Sequence, residues 1–497
     1  MNQSTGKLWR LGLPILSLVA LSGYLIVSSG SYGLGYPLDD AWIHLTYARN
    51  IVNFGQWMFL PGVVSGGSTS PLWTLLLTPA FIFQLQPILW TTFLGFLCLT
   101  CLGFLTRKFL EQQELKSYAV GFAFFILLEW HFVWAALSGM ETLLQTVGNL
   151  AAAVVLFHGY QHKTNSWLWF LTGVLIGALV WIRPDSLTWM GPALVLTVAS
   201  RFFLESRKSN VWLFLLVGFL IPFTGYLFFN HQVAGSIWPT TMYAKQAEYQ
   251  AQLNIPFLSR YLQLFILPFI GSSILLLPGL VYLGVKSIRS KAIPILVVYL
   301  WWLGMVGLYA WKLPVSYQHG RYMIPIMIIP ILCGLIGSAE LVQSLRVSLV
   351  WKNRLVFGGI SLLIGLQFAF YGLGANAYRQ DVGVIESEMV QTAKWVAENI
   401  PADKNLAVHD IGAMGFYSRR NFVDLAGLIN PEVIPFIRNE EQLAVFLDEK
   451  NMDYVIVFPN WYNNLLENKE ILYTTNNSLS PSLGGGNMTI FCWKKCK

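Results

Sequence analysis

The chain has 497 residues, of which 55% are hydrophobic and 11% charged, with a mean hydropathy of +0.54. Soluble domains run near a quarter charged, so this composition excludes an ordinary soluble protein and indicates a polytopic α-helical membrane protein. The formal net charge of +7 is small and follows from where basic loops fall, which argues against a nucleic-acid partner.

In chain order, apolar stretches at 8–30, 117–137, 142–158, 167–183, 187–204, 210–230, 259–284, 293–312, 322–343 and 354–375 read as spans. The first is too long for a signal-peptide core and lacks a clear small-residue cleavage site, so it reads as a retained span. The stretch 71–106 is either two short spans broken at Pro87 or one span after a juxtamembrane helix. Charge decides between them, because Lys and Arg favour cytoplasmic loops. The basic loops 201–208, 286–291 and 346–354 should share a side with Lys7 and Arg10. Parity then makes 71–106 cross once, which also places Arg107, Lys108 and Lys116 inside. The result is eleven spans, a cytoplasmic N-terminus, and fifteen basic residues of the first 375 inside against six outside.

After residue 375 the composition becomes that of a soluble domain, with 15 acids and 11 bases over 376–497. Residues 384–400 read as an amphipathic helix ended by Pro401. Residues 406–409, 421–424, 454–458 and 489–493 read as short strands. The expected organisation is a transmembrane unit, 1–375, whose first outer loop is 31–70, and an extracytoplasmic α/β domain, 376–497. Cys492 and Cys496 are candidates for a disulfide, whereas Cys98, Cys101 and Cys333 read as packing residues.

The first 375 residues hold only ten carboxylates, and Asp39 and Asp40 are adjacent. Carboxylates near a bilayer are costly without a partner or a task. By the parity argument the other unusual polar groups emerge on the same outer face: Arg49, Ser138–Glu141, Arg183-Pro184-Asp185, Trp238–Lys245 and Tyr317–Tyr322. A simple reading gives Asp39 or Asp40 a helix-capping role and Arg183, Lys245 and Arg321 a headgroup-snorkelling role. A single outward-facing polar site explains all of these residues together.

The Asp39-Asp40-Ala41-Trp42-Ile43 run, followed by Tyr47–Asn50 and Gly67–Trp73, resembles the first outer loop of the GT-C superfamily of polyprenyl-phosphate-sugar glycosyltransferases. Bacterial arabinofuranosyltransferase-like members of cell-envelope assembly are the nearer resemblance. Ser138-Gly139-Met140-Glu141-Thr142, Arg183-Pro184-Asp185, Asp410–Ala413 and Asp424–Leu428 extend it over nearly the whole chain. The sequence departs from the pattern at Trp42, at Asp185 and at Ser65-Gly66-Gly67.

The resemblance implies an inverting transfer of a sugar from a polyprenyl-phosphate donor to a hydroxyl on a glycan, lipid or protein acceptor. It makes Asp39 the expected general base and Asp40 its partner. Arg183, Lys245, Arg321 and His319 become candidate ligands of the donor phosphate. Arg49, Glu141, Tyr243 and Trp73 are candidate contacts for sugar or acceptor. Asp40 and His44, one helical turn apart, are candidate ligands of a divalent metal, although as a pair they form an incomplete set. The C-terminal domain is expected to bind acceptor or close over the site. Two other readings compete: a flippase of lipid-linked sugars, with Glu129 as an in-span carboxylate, and a non-catalytic membrane assembly protein.

Overall fold

The computed structural model describes residues 8–161, 166–203 and 210–495. Lys7, Cys496 and most of the basic loop at 201–208 lie outside them. Eight of the described helices are long and apolar enough to cross a membrane: Trp9–Ser29, Pro87–Gln112, Thr142–Gln161, Val211–Ala234, Ser272–Ser290, Ile293–Lys312, Ile324–Ser344 and the run Leu349–Asn399. A ninth crossing is supplied by Ala119–Leu127 and Trp130–Leu137 if the pair, bent by 54°, forms one span. The stretches expected at 167–183 and 187–204 are also helical, as Ser166–Val180 and Met190–Phe203.

The ambiguous segment resolves into Pro71–Ile82 and Pro87–Gln112, each opened by a proline at its first turn. Twelve residues extend only about 18 Å, short of a hydrocarbon core about 30 Å thick. The second helix, of 26 residues, is long enough.

The span expected at 259–284 is not continuous. An amphipathic helix, Phe257–Ile266, ends in a 3-10 turn at Leu267–Phe269, and a new helical run starts at Ser272. Gly271 separates them with φ +145°, a conformation that glycine adopts without steric cost.

The amphipathic helix expected at 384–400 is the far end of a run that begins at Leu349 and passes through a π-helical turn at Ile385–Val390. Glu129, the in-span carboxylate, sits at the break between Leu127 and Trp130. Its Oε2 accepts the N–H groups of His131 and Phe132 at 2.9 and 3.2 Å. It therefore caps the second half of a bent helix pair whose first turn is otherwise left with free donors.

Strands β1 (Met58–Leu60) and β2 (Val63–Val64) form a small hairpin in the first long loop. The C-terminal sheet contains β3 (Leu406–Val408), β4 (Phe422–Asp424), β5 (Tyr454–Val457), β6 (Ile471–Thr474) and β7 (Thr489–Cys492). Its order is β4-β3-β5-β7-β6. The β3 strand pairs in parallel with β4 and β5, and β7 runs antiparallel to both β5 and β6. The β6 edge strand was not expected from the sequence; it is half-exposed and lacks a buried apolar run. Cys492 is disulfide-bonded.

One apolar core joins the sheet to the first loop. Trp42, Ile43, Tyr47 and Phe59 pack in the same buried cluster as Val408, Ile411, Met414 and Phe422. Burying each such side chain contributes about 1.5–3 kcal/mol, so the C-terminal sheet is held against the segment that carries the aspartate pair.

Candidate active site

Asp39 occupies the N-cap position of the Asp40–Phe54 helix but makes no cap hydrogen bond there. Its carboxylate instead accepts the backbone N–H of Gly412 at 2.7 Å and of Ala413 at 2.8 Å. A side chain from the first loop thus satisfies free donors in a turn more than 370 residues away. The approach is tight: a Cβ on Gly412 would lie 2.0 Å from the Asp39 carbonyl oxygen and 2.7 Å from Oδ2. Burial pushes the Asp39 carboxyl up to about 6, opposed by the Ala413 and Gly412 N–H groups and reinforced by the charge of Asp40.

Asp40 faces a different partner. Its Oδ2 lies 2.6 Å from the Arg321 guanidinium. Burial opposes ionisation, but Arg321 and Lys245 together hold the carboxyl below its usual range. The adjacent aspartates are therefore electrostatically distinct, and neither caps its own helix.

Two cavities meet here. One, of about 500 Å³, is lined by Asp40, His44, Glu141, Arg183, Lys245 and Arg321 among apolar side chains that include Leu187, Trp238 and Leu308. The other, of about 610 Å³, is lined by Asp39, Asp40, Lys245, Glu248, His409 and Asp410, with Trp461 and Tyr462 beside them. Asp40, Lys245 and Arg321 line both and so form the wall between them.

The cations of the first cavity are held in place. Arg183 donates to the Tyr309 hydroxyl at 2.9 Å and lies 3.4 Å from Glu141 and 3.5 Å from Asp185. Arg321 also donates to the Tyr322 hydroxyl at 3.0 Å. Its Nε is buried with no hydrogen-bond partner among the described residues, a free donor of the kind an anionic ligand satisfies. Lys245 pairs with Glu248 at 3.2 Å. Glu248 lies 3.7 Å from His409 Nε2, and His409 Nδ1 is 2.6 Å from the Tyr462 hydroxyl. Lys245 and His409 keep the Glu248 carboxyl ionised well below its ordinary value against the cost of burial.

Other residues singled out from the sequence lie elsewhere. His319 adopts a left-handed conformation, φ +57°. Its Nε2 lies 2.8 Å from Asp381 Oδ2, between Trp130 and Trp134. It lines neither cavity, and Gln318 and Tyr317 line the second one instead. Among the described residues Arg49 meets no acid; it donates to the carbonyls of Phe416 and Gly415 at 2.6 and 3.2 Å and lies over the Phe416 ring. Those carbonyls end a helical turn and need donors, so Arg49 ties the C-terminal domain to the first loop. Trp73 is buried, with its indole N–H on the Gly139 carbonyl at 2.9 Å. Tyr243 is partly exposed and lines neither cavity. Glu141 does line the first cavity.

His44 is committed through Nδ1 to Ser68 and Thr74 at 3.1 Å each, and its Nε2 lies 3.6 Å from Glu141. Asp40 is committed to Arg321. Among the described residues no group of three or more His, Cys, Asp or Glu could hold a metal ion. Asp40 and His44 therefore supply two donors, each already engaged with neighbouring side chains.

Glu248, His409, Asp410 and Asp424 are not among the site residues expected from the sequence. A signal was available for three of them. His409, Asp410 and Asp424 sit at the carboxyl ends of parallel strands β3 and β4, where open sheets bind ligands. Asp424 proves structural: it is fully buried and accepts the N–H groups of Ala426 and Ile429 at 2.8 Å each.

A family model described as a domain of unknown function (DUF8728) matches residues 375–491. No curated protein matches in sequence. Among solved structures, the chain is similar to ArnT from Cupriavidus metallidurans bound to undecaprenyl phosphate, with TM-score 0.55, 13% identity and 97% of each chain covered. It is similar to the oligosaccharyltransferase AglB from Archaeoglobus fulgidus in complex with an inhibitory peptide and a dolichol-phosphate, with TM-score 0.57, 13% identity, and coverage of 91% of this chain and 70% of that one. It is also similar to the mycobacterial arabinofuranosyltransferase AftD, with TM-score 0.53 and 14% identity, covering 98% of this chain and 40% of that one. These likenesses show a GT-C fold in a membrane protein.

Proposed function

We propose that this protein is a glycosyltransferase that moves a sugar from a polyprenyl-phosphate donor to an acceptor hydroxyl, with inversion. The observation that carries this reading is the shared wall of Asp40, Lys245 and Arg321 between a cation-bearing, largely apolar cavity and a carboxylate-bearing one. The first cavity suits a lipid phosphate, because Arg183, Lys245 and Arg321 offer donors and its apolar lining suits the first isoprene units. ArnT and AglB, which share the fold, were solved with polyprenyl phosphates. The second cavity suits the acceptor.

Asp39 is the base in this reading. It takes the acceptor proton as the acceptor oxygen bonds to the anomeric carbon, while the bond from that carbon to the phosphate oxygen breaks. The phosphate leaves with the lipid, and its growing charge falls on Arg321 and Lys245. Asp40 holds Arg321 in place. Glu141 and Asp185 orient Arg183.

The basic-loop asymmetry supports a cytoplasmic N-terminus, with the site and the domain at 376–497 on the extracytoplasmic face. The resemblance of the first loop to arabinofuranosyltransferase-like members supports a role in cell-envelope glycan or glycolipid assembly. The flippase reading loses its main feature, since Glu129 is used as a helix cap.

The test is release of polyprenyl phosphate from a panel of radiolabelled polyprenyl-phosphate sugars by the purified protein, with a membrane extract supplying acceptor. Asp39→Asn should lower release by about 10²–10⁴-fold, the contribution of a general base, while binding of undecaprenyl phosphate stays unchanged. Full release by this variant would remove Asp39 from the base role.

A further inference from the structure

The C-terminal domain places a further carboxylate, Asp410, in the acceptor cavity. Asp410 follows β3, the central parallel strand, and lines the same cavity as Asp39 and Asp40. It immediately precedes Ile411–Ala413, the turn whose N–H groups an aspartate at this position would cap, yet its side chain makes no cap bond. Asp39 has taken those donors from across the molecule, at Gly412 and Ala413. Asp410 is left with its Oδ2 buried and without a hydrogen-bond partner among the described residues.

Four acids and three cations surround that carboxyl. Asp39 and Asp40 come from the first loop, Lys245 and Glu248 from the Thr240–Glu248 helix, and Arg321 from beyond the helix Ile293–Lys312. Arg438 and Glu440 come from the C-terminal domain, with His409 and Tyr462 beside Asp410. Lys245 is already paired with Glu248, Arg321 with Asp40, and Arg438 donates to the Glu248 carbonyl at 2.8 Å. Lys245 and Arg321 are thus each paired with another acid, while Asp39 repels a second negative charge. Burial and Asp39 push the Asp410 carboxyl well up from its ordinary value, with Lys245 opposing them. Asp39 and Asp410 share this cavity, neither has an ion-pair partner among the described residues, and two such buried carboxyls do not both ionise.

Resting on the glycosyltransferase reading above, we propose that Asp410 is a positioning residue: held as the neutral carboxylic acid, it donates a hydrogen bond to an oxygen of the acceptor and leaves Asp39 as the ionised base. The proton that Asp410 carries is not the one transferred. The acceptor proton goes to Asp39, so the reaction needs no further reactant. This division also gives the C-terminal domain a direct part in the site, since β3 and Asp39 are fastened to the same turn.

Two readouts on the full-length protein in detergent test it. The infrared difference spectrum at pH 7 between wild type and Asp410→Asn should show a protonated-carboxyl C=O band lost in the variant. In the release assay with undecaprenyl-phosphate sugar and membrane extract, Asp410→Asn keeps an amide donor and should stay within about threefold of wild type. Asp410→Ala should lose roughly tenfold at limiting extract, the worth of a buried hydrogen bond, and recover as extract is raised. Absence of the band, an alanine variant equal to wild type, or an asparagine variant as impaired as alanine would overturn the proposal. If wild type releases no undecaprenyl phosphate from any donor, it is the glycosyltransferase reading that fails. The infrared band reports the state of Asp410 on its own.

Discussion

Asp39 and Asp40 share a backbone and almost nothing else. Asp39 receives two backbone N–H groups and sits near the pKa of a useful base; Asp40 is ion-paired and held ionised. A base acts only when ionised, so activity should be full above the Asp39 pKa and decline as pH falls through about 6. A pH–kcat profile measured with saturating donor checks this, and a flat profile down to pH 4.5 would contradict it. Arg321 is bound to Asp40 on one side and has a free buried Nε on another. Arg321→Lys keeps the charge but loses the planar fork, and Arg321→Ala loses both. Undecaprenyl phosphate titrations should show weakening by roughly tenfold or more for alanine and an intermediate loss for lysine, as charge-assisted hydrogen bonds are worth about 1.5–3 kcal/mol.

At the scale of elements, the site depends on a turn and a loop that meet only in the folded chain. Gly412→Ala places a Cβ against the Asp39 carbonyl and carboxylate, which forces the turn and the first loop apart. The expected result is near-complete loss of release with a lowered Tm, whereas Gly365→Ala, which has nothing within 4 Å, leaves both unchanged.

The limits of the sequence have physical causes at this same scale. Asp39, Asp40, Lys245 and Arg321 were legible, because acids are scarce in the apolar region and cations cluster in a few loops. His319 was misplaced because a left-handed backbone turns it to Asp381, and no spacing argument carries that. The Arg49 contacts with Gly415 and Phe416 span more than 360 residues and leave no local trace. The break at Gly271 was hidden by uninterrupted hydropathy on both sides. The β6 strand was missed because its pairing with β7, not its own pattern, defines it.

At the scale of the whole molecule, turns at helix ends supply Arg183 and Arg321, the Thr240–Glu248 helix supplies Lys245 and the first loop supplies the aspartates, while the sheet domain closes the second cavity with His409, Asp410 and Trp461. The proposed orientation puts this domain outside the cell membrane. A cysteine at the exposed position of Lys450 should react with a membrane-impermeant maleimide in intact cells. A cysteine at Arg346, also exposed, should react only after permeabilisation. The reverse pattern would invert the topology.

In the proposed reaction the cavity behind Asp40 holds the lipid phosphate and the cavity beside Asp39 holds the acceptor. A cryo-EM map of the full-length protein with undecaprenyl phosphate tests it most directly. Phosphate density is expected within hydrogen-bond reach of Arg321 and Lys245, with the isoprenoid leaving along Leu187, Trp238 and Leu308. Phosphate density beside His409 and Asp410, or a lipid bound with Arg321 untouched, would contradict it.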